Sequence, residues 1–517
     1  MARMFQRFSA PRHYWLSAAA AGCLTGCLPL CPPRPEYPPP PAVHCPAPCE
    51  RPVEEAFDPD AALLPARPEL IDLPTALQLA DRQNPQIAVA RERIREALAV
   101  QDRAEALWLP QLEFGPTWMR HDGQIQRATG EVLTISRSSL FVGGAVNFNW
   151  ELGELLYAPL VTRQFTAARA AGAAATANDR LLDVAVVYFD LLQTYALIEV
   201  NRETLANARH LLELTENYEK AGKGAAADTA RARVEVNLRE TERFDLESRV
   251  LIVSARLAQL VQLPPETIFR PVEPALVPLA VVPESAPLTD LIAQAVNYRP
   301  ELGENRALVL AALERWRAAK VTPLVPRLQL AVSGGGFGGG QNGFFGDFGP
   351  RSDVAVGAVW RLNQFGVGDA AVIRERAAQY AQAIFQRHTV EAAVAAQVVQ
   401  QFGAAFALRR ALGSSQTAVA SARVSYELNE ERIRRAPEQG RPIELLQAIQ
   451  ALARARQEYV QTIADYSRSQ LRLYTALGNP PLCALETMRP LPLREPPVPQ
   501  PVAEELPPPK PVANGNE

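Results

Sequence analysis

The sequence predicts a mainly α-helical protein with a small β part, in which long coiled-coil helix hairpins occur twice and each copy carries a pair of membrane-crossing strands. Three observations predict this. Landmarks recur at an offset of about 215 residues, two very long runs are free of interior proline, and four segments alternate strictly between apolar and polar residues. At 517 residues the chain is long enough to bury a large core. Its formal net charge of -3 excludes a nucleic-acid binder or a polybasic membrane-surface protein. The 48% hydrophobic content leans on alanine, with only 7% aromatics, which suits closely packed helices. No run of 18 consecutive apolar residues follows the first 26, so membrane passage by an α-helix is not expected and a β-barrel is.

Residues 1–26 read as a signal for export. Arg3, Arg7 and Arg12 precede the apolar stretch Tyr14 to Leu24, and Leu24-Thr25-Gly26-Cys27 resembles a bacterial lipoprotein signal. Cleavage before Cys27 would leave that residue N-terminal with lipid on its sulfur. Leu28 follows instead of an aspartate, which favours the outer membrane. Residues 27–70 hold about 14 prolines and residues 482–517, with the two before them, about 12, so both read as extended non-globular segments: a lipid-anchored linker and a disordered tail.

Cys31, Cys45, Cys49 and Cys483 match no zinc spacing. His44, Cys45 and Cys49 lie together in the proline-rich linker, open to a soft metal, a small disulfide or no role; no metal site is assigned.

The first repeat covers residues 71–266 and the second 287–481. Asn84-Pro85-Gln86-Ile87 answers to Arg299-Pro300-Glu301-Leu302, Leu109-Pro110-Gln111-Leu112 to Val325-Pro326-Arg327-Leu328, and Pro264-Pro265 to Pro480-Pro481. Each repeat opens with an expected helix, Thr75 to Trp108 and Thr289 to Thr322. A long helix follows, about Tyr157 to Lys220 and about Val367 to Arg435, each reaching roughly 95–105 Å at 1.5 Å per residue. A third helix doubles back, Asp228 to Leu263 and Ile443 to Leu477. In the latter, Leu445, Leu452, Tyr459, Tyr466 and Leu473 recur by sevens, with Ile449, Ile463 and Leu477 on the companion row, a coiled-coil seam. Arg456 and Gln470 interrupt that row and predict a wet side.

Strands are expected at about 110–151 and 326–362. Leu112, Phe114, Pro116 and Trp118 alternate with polar residues, as do Leu140, Val142, Val146, Phe148 and Trp150. Leu328, Leu330 and Val332, then Val354, Val356, Ala358 and Trp360, repeat the pattern. Four strands cannot enclose a lumen, and bare edges are not tolerated in lipid, so several chains must share one barrel. An apolar outside and polar inside describe an outer-membrane barrel with a wet lumen. The alternative is a sheet whose apolar face packs on helices. The glycine-rich stretch Gly334 to Gly349 reads as an external loop. Gly334, Gly336 and Gly339 fit GxGxxG without a following helix, no P-loop is present, and the five histidines are scattered, so no catalytic set, ATP site or other cofactor is expected.

Together these features resemble the TolC-like outer-membrane efflux protein family over about Ile71 to Pro481. The twin openings Leu77 to Ile87 and Ile292 to Leu302, the prolines Pro110 and Pro326, the stretch Trp360 to Gly368 and the stretch Gly440 to Gly478 carry the resemblance. It implies a homotrimer with a 12-stranded β-barrel continuous with an α-helical barrel crossing the periplasm. It also implies passive conduction of solutes from an inner-membrane pump and a periplasmic adaptor to the outside. The turns Lys220 to Asp228 and Arg435 to Glu444 would form the periplasmic mouth, with Gly222, Asp228, Arg435, Gly440, Arg441 and Glu444 as docking tips. Arg432, Arg434, Arg435 and Arg441 make the second tip either a cationic mouth or a set of helix-end arginines paired with Glu427, Glu430 and Glu431. The runner-up function is a non-conducting, lipid-anchored periplasmic scaffold linking the outer membrane to the cell envelope.

Overall fold

A computed structural model describes residues 68–341, 346–435, 441–487 and 489–491, all within one unit, Ala62–Glu517. Cys27, the signal, most of the linker with Cys31, His44, Cys45 and Cys49, and most of the tail lie outside the described residues.

The first repeat starts with β1 (Glu69–Ile71), α1 (Leu73–Gln83) and α2 (Pro85–Glu105), then a 3-10 turn at Ala106–Trp108. The single opening helix expected from Thr75 to Trp108 is therefore two helices. Pro85 cannot continue a helix, and Asn84 takes an extended ψ of 120°. Its side chain accepts from Gln86 N at 2.9 Å, capping α2, and donates to Leu260 O at 3.0 Å. Next come β2 (Gln111–Gln126), β3 (Val132–Glu151), the 69-residue α3 (Leu152–Lys220) and the returning α4 (Ala226–Val261).

β4 (Phe269–Pro271) and β5 (Leu279–Ala280) cross to the second repeat, where α5 (Leu288–Tyr298) and α6 (Pro300–Val321) break at Pro300 as α1 and α2 do at Pro85. β6 (Arg327–Gln341), β7 (Gly346–Val359), α7 (Val367–Arg435, again 69 residues) and α8 (Pro442–Ala476) follow. The chain ends in α9 (Pro481–Thr487) and β8 (Arg489–Pro490). The start of the expected disordered tail is thus folded: β8 pairs with β5, and Ala484 and Leu491 are buried. β1 likewise pairs with β4, inside the expected linker.

The largest apolar core gathers α1, α3, the end of α4, β4 and α9 through Leu77, Tyr188, Leu257, Phe269 and Ala484. α3 contains an 18-residue stretch apolar enough to cross a membrane, but more than half of it is buried in this helical layer. Burial, then the facing Glu273 carboxylate, pushes the Tyr188 phenol far above its ordinary range. In α8 the heptad residues Leu445, Leu452, Tyr466 and Leu473 are buried as the spacing predicts. The expected wet side is dry at Gln470 and partly open at Arg456. Gln470 is 4% exposed and accepts from Val281 N and Val282 N at 3.3 and 3.0 Å, satisfying the crossing segment just after β5. Arg456 reaches Glu203 on α3 at 2.6 Å.

Candidate functional site

One four-stranded antiparallel sheet, in the order β2-β3-β6-β7, joins the two repeats. All four strands run longer than the alternation alone predicts, and the glycine run Gly334 to Gln341 is strand rather than loop. Its backbone pairs with β3 residue by residue, Gly143 opposite Gly335 and Gly144 opposite Gly334. A Cβ on Gly335 would lie 2.4 Å from Val142 O and 2.6 Å from Gly143 Cα, so the close approach of β3 and β6 requires glycine there. The Phe141 and Phe348 rings fill the space that Gly143 and Gly338 leave.

The register assembles the even-numbered residues into continuous apolar rows. Leu112, Val146, Val332 and Val354 form one; Phe148, Leu330 and Val356 the next; Trp150, Leu328 and Ala358 a third. Phe114, at 86%, and Val356, at 79%, are almost fully exposed, as are Leu112, Trp118, Val354 and Trp360 to a lesser degree. Val146, Phe148, Trp150, Leu328 and Leu330 are half-buried on the same face. From the Trp150 row to the row of Trp118 and Leu140, the band spans ten residues of β3. That is about 33 Å along the strand, or about 25 Å of height at a tilt of about 40°. Trp150 and Trp360 mark one end, where Trp150 Nε1 donates to Trp108 O at 3.1 Å, and Trp118 marks the other. Beyond Trp118 the same face turns polar, with Arg120 paired to Asp122 at 2.6 Å.

The opposite face carries Glu113, Thr117, His121, Arg137, Asn147, Asn149, Gln329, Ser333, Arg351 and Asp353. A concavity of about 770 Å³ lies on it, lined among others by Arg137, Phe141, Phe337 and Arg351. Arg351 stacks over Phe337 at 4.8 Å and pairs with Asp353 at 2.8 Å. Among the described residues, the outer edges of β2 and β7 have no strand partner.

The far ends of the long helices form two tips. At the first, Gly222 adopts φ +71°, a left-handed turn that glycine takes without strain, and Lys223 N and Gly224 N both donate to Tyr218 O, at 2.9 and 3.0 Å. Asp228 pairs with Arg231 at 2.9 Å. Ala232, Leu211, Ile433, Leu445 and Ile449 pack the two tips into one apolar cluster. At the second tip Arg441 precedes α8, and Gly440 lies outside the described residues. Three of the four tip arginines are paired: Arg432 with Glu444 at 3.1 Å, Arg434 with Glu430 at 2.6 Å, and Arg435 with Glu431. Two of these are the helix-end pairs expected with Glu430 and Glu431, while Glu427 takes Arg423 instead, at 2.9 Å.

Sequence reasoning missed the link that fastens the two hairpins. Arg468, 8% exposed, donates to Asp465 at 2.6 Å, to Gln193 at 3.0 Å and to Asp190. Arg468 lies two residues from both Tyr466 and Gln470, on the helix face opposite the heptad seam, so the pattern gave no signal for it. Among the described residues no cluster of metal-ligating side chains occurs.

Residues 291–479 match the outer membrane efflux protein family. The matched stretch is nearly the whole second repeat. No curated protein matches the sequence. Among solved structures, the outer-membrane channel OprN superposes with a TM-score of 0.67 at 19% identity, covering 78% of this chain and 89% of that one. The outer membrane protein VceC from Vibrio cholerae gives 0.65 at 17%, covering 78% and 96%. The Campylobacter jejuni CmeC outer membrane channel gives 0.65 at 15%, covering 78% and 85%. These likenesses extend the fold of the efflux domain over the first repeat as well.

Proposed function

We propose that three copies of this chain close into an outer-membrane channel of an efflux or secretion system, passively conducting solutes delivered by an inner-membrane pump and a periplasmic adaptor. The observation that carries the reading is a sheet with one apolar face about 25 Å tall, one polar face and two bare edges. Copies joined edge to edge turn the apolar rows to lipid and the polar rows to a water-filled lumen.

The helices support the same assembly. α3 and α7 are equally long, yet α3 buries 22 residues and α7 only 6. α3 packs on α2 and α4 of its own repeat and on α6 and α8 of the other, whereas α7 packs on α5, α6 and α8 of its own repeat, and in this reading α2 and α4 of another copy supply its missing side. Phe385, Phe406 and Leu428 on α7 and Val234, Leu238 and Ile252 on α4 are exposed on a single subunit. In this reading lipid on Cys27 anchors the protein to the outer membrane. The tips at Gly222, Asp228, Arg435, Gly440, Arg441 and Glu444 face the adaptor across the periplasm.

Purified protein in planar bilayers tests the proposal. Stepwise ion conductance supports it, and correctly assembled oligomers that never conduct would leave the scaffold reading standing.

A further inference from the structure

We infer that the seam between subunits is an antiparallel pairing of β7 with β2 of the next copy, in the register that sets Val354 opposite the partner's Trp118 and Ala355 opposite the partner's Thr117. The inference rests on the closed ring proposed above and adds to it a residue-by-residue contact.

The template is the seam inside the chain. Gln450 Nε2 donates to Glu235 at 2.7 Å and Gln457 Nε2 to Glu242 at 2.6 Å, and in both pairs the residues are 215 apart, the repeat offset itself. Equivalent residues thus meet side by side at one height, so the second repeat follows the first by rotation with little slide along the helices. In the sheet this operation joins β3 to β6, with Trp150 opposite Leu328. Applied once more, it carries β3 onto β7 and β6 onto the β2 of the next copy. Trp150 corresponds to Trp360 and Leu328 to Leu112, so Trp360 falls opposite the partner's Leu112.

The two hairpins differ slightly. Gln111 faces Asn147, whereas Arg327 faces Val359, two residues beyond strict repetition. A second register is therefore available, with Trp360 opposite the partner's Phe114. Both keep apolar rows on one face, and two arguments choose between them. The first register sets polar Ser352 against the partner's Arg120 and apolar Val354 against the partner's Trp118, so the band ends at one level. The second sets Val354 against the partner's Arg120. Strand tilt makes the same choice. In the first register the row Leu112, Val146, Val332, Val354 advances by about six residues per subunit, or about 18 around twelve strands, a tilt of about 46°. The second advances by about eight per subunit and needs about 54°, well outside the roughly 35–45° of membrane barrels.

Paired cysteines read the register directly. In full-length protein carrying Ser at 31, 45, 49 and 483, A355C is combined with T117C, with G115C or with M119C, and membranes are oxidised. The expected result is a covalent, reductant-sensitive trimer at least tenfold more abundant for A355C with T117C than for either shifted pair. Preferential linkage of M119C or G115C overturns the register. Mass photometry of the detergent-extracted variants counts copies without the cysteines. Trimers with no linkage in any pair overturn the register and leave the ring, whereas monomers alone overturn both.

Discussion

In the proposed ring, two adjacent residues of β3 separate a lipid-facing from a lumen-facing position. Val146 lies in the middle row of the apolar band, between Leu112 and Val332, and Ala145 points the other way, between Glu113 and Ser333. An arginine at the midplane of a barrel's lipid face costs about 2–4 kcal/mol, which in a ring of three copies is about 6–12 kcal/mol. V146R should therefore lower the folding equilibrium constant per chain by roughly 30-fold or more. A145R keeps its charge in water with Glu113 across the strand pair, and its effect should stay within about 0.5 kcal/mol. The assay is urea unfolding of the protein refolded in phosphatidylcholine vesicles, followed by tryptophan fluorescence, since Trp118, Trp150 and Trp360 border the band. An A145R variant as damaged as V146R would mean that the polar face is packed and dry, and a harmless V146R would mean that the apolar face does not meet lipid.

Three further outcomes follow from packing and charge. R468M strands the Asp190 and Asp465 carboxylates between α3 and α8; because both keep partial contact with water, the loss should be about 2 kcal/mol. Adding D190L should recover part of it in thermal unfolding. G335A, although alanine is the better residue in most contexts, should weaken β3–β6 pairing by about 1–3 kcal/mol, seen as a lower urea midpoint, because its Cβ meets the Val142 carbonyl and Gly143 Cα. Tyr466 is fully buried with no hydrogen-bond partner for its hydroxyl, and burial, with the nearby Glu284 adding to it, pushes its phenol up to about 12. That stability is fully present below pH 10 and is lost as pH rises through about 12. Y466F should be within about 1 kcal/mol of wild type at neutral pH and should lose less stability between pH 10 and 12, measured by the pH dependence of Tm.

The fold was legible where a period met a proline. Val367 to Arg435 is bounded in sequence by the end of one alternating strand and a proline-rich turn, and the helix occupies that span. Boundaries failed where a side chain, not a pattern, decided them: Pro85 and Pro300 read as the phase of one helix, whereas each divides two. The glycine run read as a loop because glycine disfavours strands in isolation. What holds it extended is close contact with Gly143 across the sheet, although Ser333, Gly335 and Phe337 had kept the alternating phase. At the second tip, charge composition left both a cationic mouth and helix-end pairing open, and three of the arginines pair with carboxylates four residues away on the same helix or on the facing helix. Such pairing depends on which helix folds back, and composition does not carry that information.

The number of copies in the proposed ring follows from the polar face. Two copies would give eight strands, whose interior is just wide enough for side chains to fill it. Glu113 and Arg137 make no ion pair among the described residues, and enclosing such charges in a packed interior would cost several kcal/mol each. Water must therefore reach them, which excludes the two-copy ring. With three copies, twelve strands leave an open lumen and every β2 and β7 edge is already paired. A fourth copy would add no contact per chain while costing another subunit's translational and rotational freedom, so mass action favours the smallest closed ring that stays wet, which is three.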